Sequence, residues 1–236
     1  MNTVPRLQSP VLRSNETKVI EESGTVLISV PARIAVSDTF YARRGKRVFD
    51  IFASITAIVL LTPILLVVAV GELMLLGRPV LYRQVRLGRS ARPFVMLKFR
   101  SMRHDRREAA LPVPHPERRR THKSPDDPRH TPFGTIIRRT SIDELPQLFN
   151  VLRGDMSIVG PRPELPRIAE QYGIVDHVRH LVRPGLTGLW QISADRPGFV
   201  HENVRYDEQY VGQVTLRGDL AIIVRTIPVL LRGSGV

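Results

Sequence analysis

From Ile51 to Gly71 the chain runs for twenty-one residues without a charge, "IFASITAIVLLTPILLVVAVG". As a straight helix this stretch reaches roughly 30 Å, the thickness of a bilayer's hydrocarbon core. It lies too far from the N-terminus for a secretory signal, and no small-residue cleavage site follows it, so it is expected to be retained. A core helix of a soluble protein rarely stays uncharged for so long. Whatever else folds must be arranged around a membrane-embedded segment.

Its flanks do not suit a simple spanning helix, which shows a Lys/Arg bias to one side. Arg43, Arg44, Lys46 and Arg47 precede it, and Arg78, Arg83, Arg86, Arg89, Arg92, Lys98 and Arg100 follow with no acid between Arg78 and Arg100. In the middle stands Thr62-Pro63, where proline removes a helical hydrogen bond and clashes with the preceding turn. These features predict a re-entrant helix-break-helix that enters and leaves by the cytoplasmic face, with the Thr62 hydroxyl helping to satisfy freed carbonyls. A proline-kinked spanning helix is the alternative, since prolines are tolerated in such helices.

The 236 residues suffice for one domain of moderate size with appendages. A formal net charge of +13 points to an anionic partner: nucleic acid, an anionic membrane surface or a phosphorylated substrate. With no cysteine, disulfides, Cys-based zinc sites and a thiol nucleophile are excluded. Three regions are expected: a flexible tail over 1–42, the re-entrant membrane helix over 43–77, and a cytoplasmic-face catalytic domain over 78–236. The fold class is α/β mixed, mainly helical with short strands, on a membrane-associated monotopic anchor.

Within the domain, "PVLYRQVRLG" and "RPFVMLKFRSM" alternate around Gly88 as a two-stranded ribbon does, with basic side chains lining one face. Residues 103–132 are rich in charge and proline and poor in large apolar residues, so they read as a mobile loop. Its Arg and His side chains fit a solvated surface, or contacts to phosphates or lipid headgroups; the histidines lack metal spacing. "PELPRIAEQYG", "DHVRHLV" and "VHENVRYDEQYV" read as short helices, and "RPGLTGLWQIS" as a loop running into a strand. Leu216, Leu220, Ile223, Ile227 and Leu230 recur at helical spacing, as in an interfacial or core-packing helix.

The stretch "RRTSIDELPQLFNVLRGDMSIVGPRPE" concentrates the chemistry. Ser141-Ile142-Asp143-Glu144 fits a capping box, with Ser141 as cap and Glu144 returning a bond to the Ser141 backbone. Arg138 precedes the acid pair, and downstream Pro161 and Pro163 fix the backbone around Arg162. A rigidly held guanidinium suits bidentate phosphate recognition. A carboxylate among several cations stays ionised and usable as a nucleophile, and neighbouring carboxylates plus phosphate oxygens are what Mg²⁺ prefers. Cap and chemistry are compatible, because one turn can serve both.

With "KRVFDI", the Pro-interrupted apolar segment, "KFRSM", "DPR", the acid-pair stretch and "RPGLTGLWQIS" in that order, the chain resembles the monotopic bacterial phosphoglycosyl transferases, or bacterial sugar transferases. The resemblance runs from about Lys46 to the C-terminus, and "DEQYV…DLAIIVRTIPVLL" is similar to the exopolysaccharide-initiating members. It implies transfer of a phospho-sugar from a UDP-sugar to polyprenol (undecaprenyl) phosphate, with release of UMP. By the same resemblance Asp143 is the nucleophile that carries a covalent phospho-sugar, and Glu144 is the second acid, with Mg²⁺ held by Glu144 and Asp143. It further implies that Arg138 and Arg162 contact phosphates, Lys98 balances charge, Pro161 and Pro163 face the nucleotide, and Thr62-Pro63 stands where Ser-Pro is common. The implied location is the inner (cytoplasmic) membrane, with the catalytic domain on the cytoplasmic face and membrane lipids as partners; the oligomeric state, a homo-oligomer included, is left open.

Two departures stand out. The family usually has a second glycine where Ala91 stands, which bears on the ribbon turn, and the multi-pass N-terminal half of the longer members does not precede the anchor, so a one-anchor enzyme is expected. A nucleic-acid-binding reading rests on the charge alone, since aromatics are 6% of residues and no helix-turn-helix, RNA-recognition or zinc pattern occurs. A membrane-anchored scaffold without activity is the other alternative, opposed by intact Asp143, Glu144 and Arg162.

Overall fold

The computed structural model describes residues 37–102, 131–196 and 198–231. Of the predicted mobile loop, only Thr131 and Pro132 fall among these, as the N-cap and first residue of a helix. Of the predicted tail, residues 37–42 are described, and they are docked. Ser37 and Thr39 both donate side-chain hydrogen bonds to the Val214 carbonyl, at 3.1 Å each.

Helix α1, Lys46–Leu76, takes up the apolar segment as one helix with Pro63 inside it. The break expected at Thr62-Pro63 is therefore corrected: helical structure continues across it. Pro63 has no N–H for the carbonyl four residues back, and next to that carbonyl the Thr62 hydroxyl donates to Ile58 O at 2.7 Å. A single missing bond in a long helix is tolerated where its neighbours hold.

The stripe Asp50, Ser54, Val68 and Glu72 is buried, whereas Phe52, Val59, Leu60, Leu66, Val67, Met74 and Leu75 are 61 to 80% exposed. Phe49, Ala53, Ala57 and Ile58 pack on the main core of Met96, Leu148, Val151, Met156, Ile158, Val159, Tyr210, Val214 and Ile222. Further along, Leu65, Val68 and Ala69 join a second cluster with Phe99, Ile137 and Phe133. Both halves of α1 thus lie against one domain, and among the described residues nothing covers the opposite apolar face.

Strands β1 (Leu81–Leu87) and β2 (Pro93–Phe99) form the predicted ribbon, antiparallel with Val85 opposite Val95 and Tyr82 opposite Lys98. Its basic residues do not share a face: Arg83 is exposed, but Arg86 turns inward to Glu164. At the turn, Ser90 and Ala91 have φ of 57° and 53°. Ala91 thus holds a left-handed conformation that costs an L-residue about 1–2 kcal/mol, more than glycine's extra unfolded-state entropy removes. Ala91→Gly should therefore stabilise the protein by about 0.5 kcal/mol, read as a higher melting temperature; a lower one would refute this account.

Helix α2, Pro132–Arg139, is capped by the Thr131 hydroxyl, which accepts from Gly134 N at 3.0 Å. Phe133 seats it on Gly71 of α1, where a Cβ would come within 2.7 Å of the ring. Helix α3, Gln147–Arg153, is joined to the free edge of β2 by the buried Asn150 carboxamide, which accepts from Leu97 N and donates to Val95 O. Strand β3, Ser157–Val159, forms in the "MSIVG" run and pairs in parallel with β4, Gly185–Thr187. In "RPGLTGLWQIS" the strand therefore comes early and Trp190 and Gln191 lie in turns, the reverse of the expected order. Close approach requires this: a Cβ on Gly185 would lie 2.1 Å from Gly160 N.

Short helix α4 (Pro166–Gln171) precedes a 3-10 turn over Val178–Leu181, and a second such turn over Val200–Glu202 leads into α5 (Arg205–Gly212) and α6 (Leu216–Leu231). In α6 Asp219 and Ile222 are buried and Leu216, Leu220, Val224 and Ile227 exposed. Asp219 accepts from Tyr41 Oη (2.6 Å), Lys46 Nζ (2.7 Å) and Tyr210 Oη (2.9 Å). Asp50 accepts from Ser157 Oγ and Ile158 N. Arg47 donates to the Val151 and Leu152 carbonyls at the end of α3. At the other end of α1, Arg100 donates to Gly77 O at 2.6 Å. Both termini of the apolar helix are fastened by charged side chains that the sequence placed at a membrane surface.

Candidate active site

Between α2 and α3 the chain reverses at Ser141, which has φ of 56° and ψ of 19° and makes no side-chain cap. The capping box is thus replaced by a different turn. Ser141 N donates to Arg138 O, Glu144 N donates to Ser141 O, and Ile142–Glu144 form one 3-10 turn before Pro146 opens α3. Relieved of capping, the Glu144 carboxylate points away from its own backbone to the ribbon.

There Lys98 of β2 donates to Glu144 Oε1 at 2.7 Å, and Arg162 Nη2 lies 3.4 Å from the same oxygen. Burial alone would raise the Glu144 pKa, but Lys98 and Arg162 outweigh it and hold this acid ionised, well below the usual carboxylate range. Asp143 is 8% exposed, and its carboxylate accepts no hydrogen bond among the described residues. Burial pushes its pKa up, against the pull of Lys98 and with the help of neighbouring Glu144; Arg162 and Arg138 also favour its charged form. The two acids are therefore unlike: one is tied down by cations, the other is open.

Arg162 is presented by a turn held from behind. Its carbonyl accepts from the buried Arg179 at 2.6 Å, Pro163 O accepts from Arg86 at 3.3 Å, and Pro161 O accepts from Gly185 N at 2.8 Å. Pro161 and Pro163 thus act through backbone placement, with Pro163 also lining a small cavity beside Lys98, Glu144, Gln147 and Arg162. Lys98, Arg138, Asp143, Glu144, Arg162 and Pro163 meet in one place, brought from β2, α2, the 3-10 turn and the post-β3 turn. Thr62 and Pro63 stand apart, on the exposed side of α1.

Three neighbours were not singled out by sequence. Glu72 of α1 is fully buried, with neither oxygen hydrogen-bonded among the described residues, and is near enough to Arg100 and Asp143 to feel both charges. Its signal was available, since it is the first acid after the apolar run. Arg196 is half-buried near Arg162 and Glu144, and burial followed by Arg162 lowers its pKa. The Trp190 ring stands 6.0 Å from the Arg162 guanidinium. For Arg196 and Trp190 no local pattern pointed here.

Residues 41–233 match the family model for the bacterial sugar transferases. The chain belongs to that family. Over 198 residues it is 40% identical to the exopolysaccharide production protein ExoY of Sinorhizobium fredii, covering 80% of this chain and 88% of that protein. It is 36% identical to a UDP-galactose-lipid carrier transferase of Erwinia amylovora, covering all of this chain and 50% of the relative. A UDP-glucose:undecaprenyl-phosphate glucose-1-phosphate transferase of Xanthomonas campestris pv. campestris is 37% identical, over 87% of this chain and 43% of its own length. The chain thus spans about half the length of several of the sugar transferases it matches, and the site described above lies within the family region.

Proposed function

We propose that this bacterial sugar transferase moves a phospho-sugar from a UDP-sugar to undecaprenyl phosphate, the first step of an exopolysaccharide or other envelope glycan. The carrying observation is the open Asp143 carboxylate set beside cation-bound Glu144 and within the field of Lys98, Arg138 and Arg162. An Asp143 oxygen attacks the sugar-linked phosphorus, the bond from that phosphorus to the bridging oxygen breaks, and UMP leaves with the electron pair. A phosphate oxygen of the lipid then attacks the same phosphorus and frees the aspartate. Phosphoryl transfer needs positioning and charge neutralisation more than proton chemistry, which this set of cations supplies. The relatives' names, which specify UDP-galactose and undecaprenyl phosphate, support the substrate classes.

Mg²⁺ fits the donor set, because it takes one or two carboxylates and fills its remaining positions with water and substrate phosphates. Glu144 Oε1 is already shared by two cations, and among the described residues no group of three or more His, Cys, Asp or Glu forms a cage. Asp143 with the remaining Glu144 oxygen would hold the ion, which would withdraw charge from the phosphates.

For the anchor, the reading is shallow entry with both flanks on the domain's side, at the cytoplasmic face of the inner membrane. A crossing helix sets its ends about 30 Å apart across the bilayer, whereas Arg47 and Arg100 tie both ends of α1 to one domain. The helix is also too bare for a soluble core, with 11% of its most apolar window buried. Because the chain lacks cysteine, Arg44→Cys and Arg78→Cys variants give clean labels in intact cells. Both should be shielded from an impermeant external reagent, and labelling of either one from outside would reject this topology. The catalytic reading is tested by UMP release from a panel of UDP-sugars with Mg²⁺ and undecaprenyl phosphate; no release from any donor would favour the scaffold alternative.

A further inference from the structure

Trp190 is the chain's single tryptophan, and its chemistry is poorly matched to packing alone. It is 8% exposed, and its indole N–H is buried with no hydrogen-bond partner among the described residues. A buried donor left unpaired costs roughly 1–3 kcal/mol, which leucine or phenylalanine in the same space would avoid. What those residues lack, wholly or in part, is the most electron-rich aromatic face among the side chains, and that face is turned to a cation: the Arg162 guanidinium carbon stands 6.0 Å from the ring centroid.

The rest of Arg162 is already fixed. Its carbonyl is held by Arg179, prolines flank it, and Glu144 Oε1 lies 3.4 Å from Nη2. Only the swing of a long side chain, one-third exposed, is left to be limited. Without a second contact the guanidinium would be free to fold back on Glu144 alone. The ring supplies that contact without competing for the guanidinium's hydrogen bonds, which stay available for an incoming diphosphate.

We propose that Trp190 is a positioning residue for the donor: its ring face holds the Arg162 guanidinium where the diphosphate of a nucleotide-sugar can take it. This rests on the UDP-sugar reading above. It extends that reading to a residue which touches the substrate only through another.

The test uses the full chain in detergent or nanodiscs. UDP titrated into the wild-type protein should change the emission of the lone tryptophan saturably, because Arg162 shifts its contact with the ring when phosphate arrives. Trp190→Phe keeps a weaker face and should raise the donor KM about two- to fivefold with kcat nearly unchanged. Trp190→Leu keeps apolar volume without a face and should lower kcat/KM at least about tenfold, mostly through KM. Combined with Arg162→Lys, the Leu variant should add little further loss, since both changes break one pair. Phe and Leu variants equally impaired, additive losses in the double variant, or UDP binding by calorimetry without any emission change would each overturn the proposal. Absence of UDP binding to the wild-type protein by calorimetry would remove the UDP-sugar reading itself, and this one with it.

Discussion

Asp143→Asn is expected to lower UMP release at least about a thousandfold under the proposed reaction, because a carboxamide has the shape of the proposed nucleophile without its attacking oxygen. The reason for so large an effect lies in the division of labour at the acid pair. Glu144 is bound to Lys98 and close to Arg162, and cannot leave them without exposing two cations to each other. In the proposed reaction it is therefore no substitute for Asp143. The Asp143 carboxylate, which accepts no hydrogen bond among the described residues, is the one the proposed reaction uses. Stability should behave in the opposite way: Asp143 is 8% exposed, and a neutral amide avoids burying a charge there, so the melting temperature should hold or rise. Intact turnover in the Asn variant would transfer the covalent role elsewhere. A collapse of both activity and melting temperature would mean that the residue is chiefly structural.

The largest loss of stability is expected at Asp219, far along the chain from the acid pair. It is fully buried and accepts from Tyr41, Lys46 and Tyr210, joining the start of α1 to α5 and α6. Asp219→Ala leaves the Lys46 ammonium, 12% exposed, with Asp50 at 3.9 Å as its one carboxylate partner among the described residues. Breaking a buried pair by removing one partner costs about 3–5 kcal/mol, and for a domain of this size that lowers the melting temperature by roughly 10 °C. Asp219→Asn keeps an acceptor and should lose less. Because the network also fixes where α1 leaves the domain, membrane association and lipid-acceptor KM should suffer with stability. A fall of less than about 2 °C for the Ala variant would show the cluster to be dispensable.

The legible parts of this protein were those with local signatures. The ribbon around Gly88 and the helical spacing of Leu216 to Leu230 emerged as elements of the expected kind, and the apolar run as helix, though without the expected break. Local rules failed where a side chain had a better distant partner. The Ser141 capping box gave way because Glu144 reaches Lys98, forty-six residues away, and the turn at Ser141 adopts the left-handed backbone that allows it. Pro63 did not divide α1, because the inward stripe of that helix is packed on the domain on both sides of it.

The charge pattern shows the same limit. The basic residues flanking the apolar run suggest a cytoplasmic fringe, yet Lys46, Arg47, Arg86 and Arg100 bind partners inside the domain, as Lys98 does at the acid pair. Only residues such as Arg44, Arg78, Arg83 and Arg89 remain as an exposed basic fringe. An arginine's stem and fork look the same in sequence whether they meet a headgroup or a carbonyl.

By itself, then, the sequence determined the membrane-length apolar segment, the adjacent acids, the proline-framed arginine and the family to which the chain belongs, because each is a matter of residue type and short spacing. The tertiary structure alone decided which acid is bound and which is open, that both ends of α1 attach to one domain, and that Glu72, Arg196 and Trp190 stand near the acids and Arg162. Those facts depend on pairings between residues far apart in the chain, which are settled by packing and by the high cost of leaving a buried charge or donor without a partner.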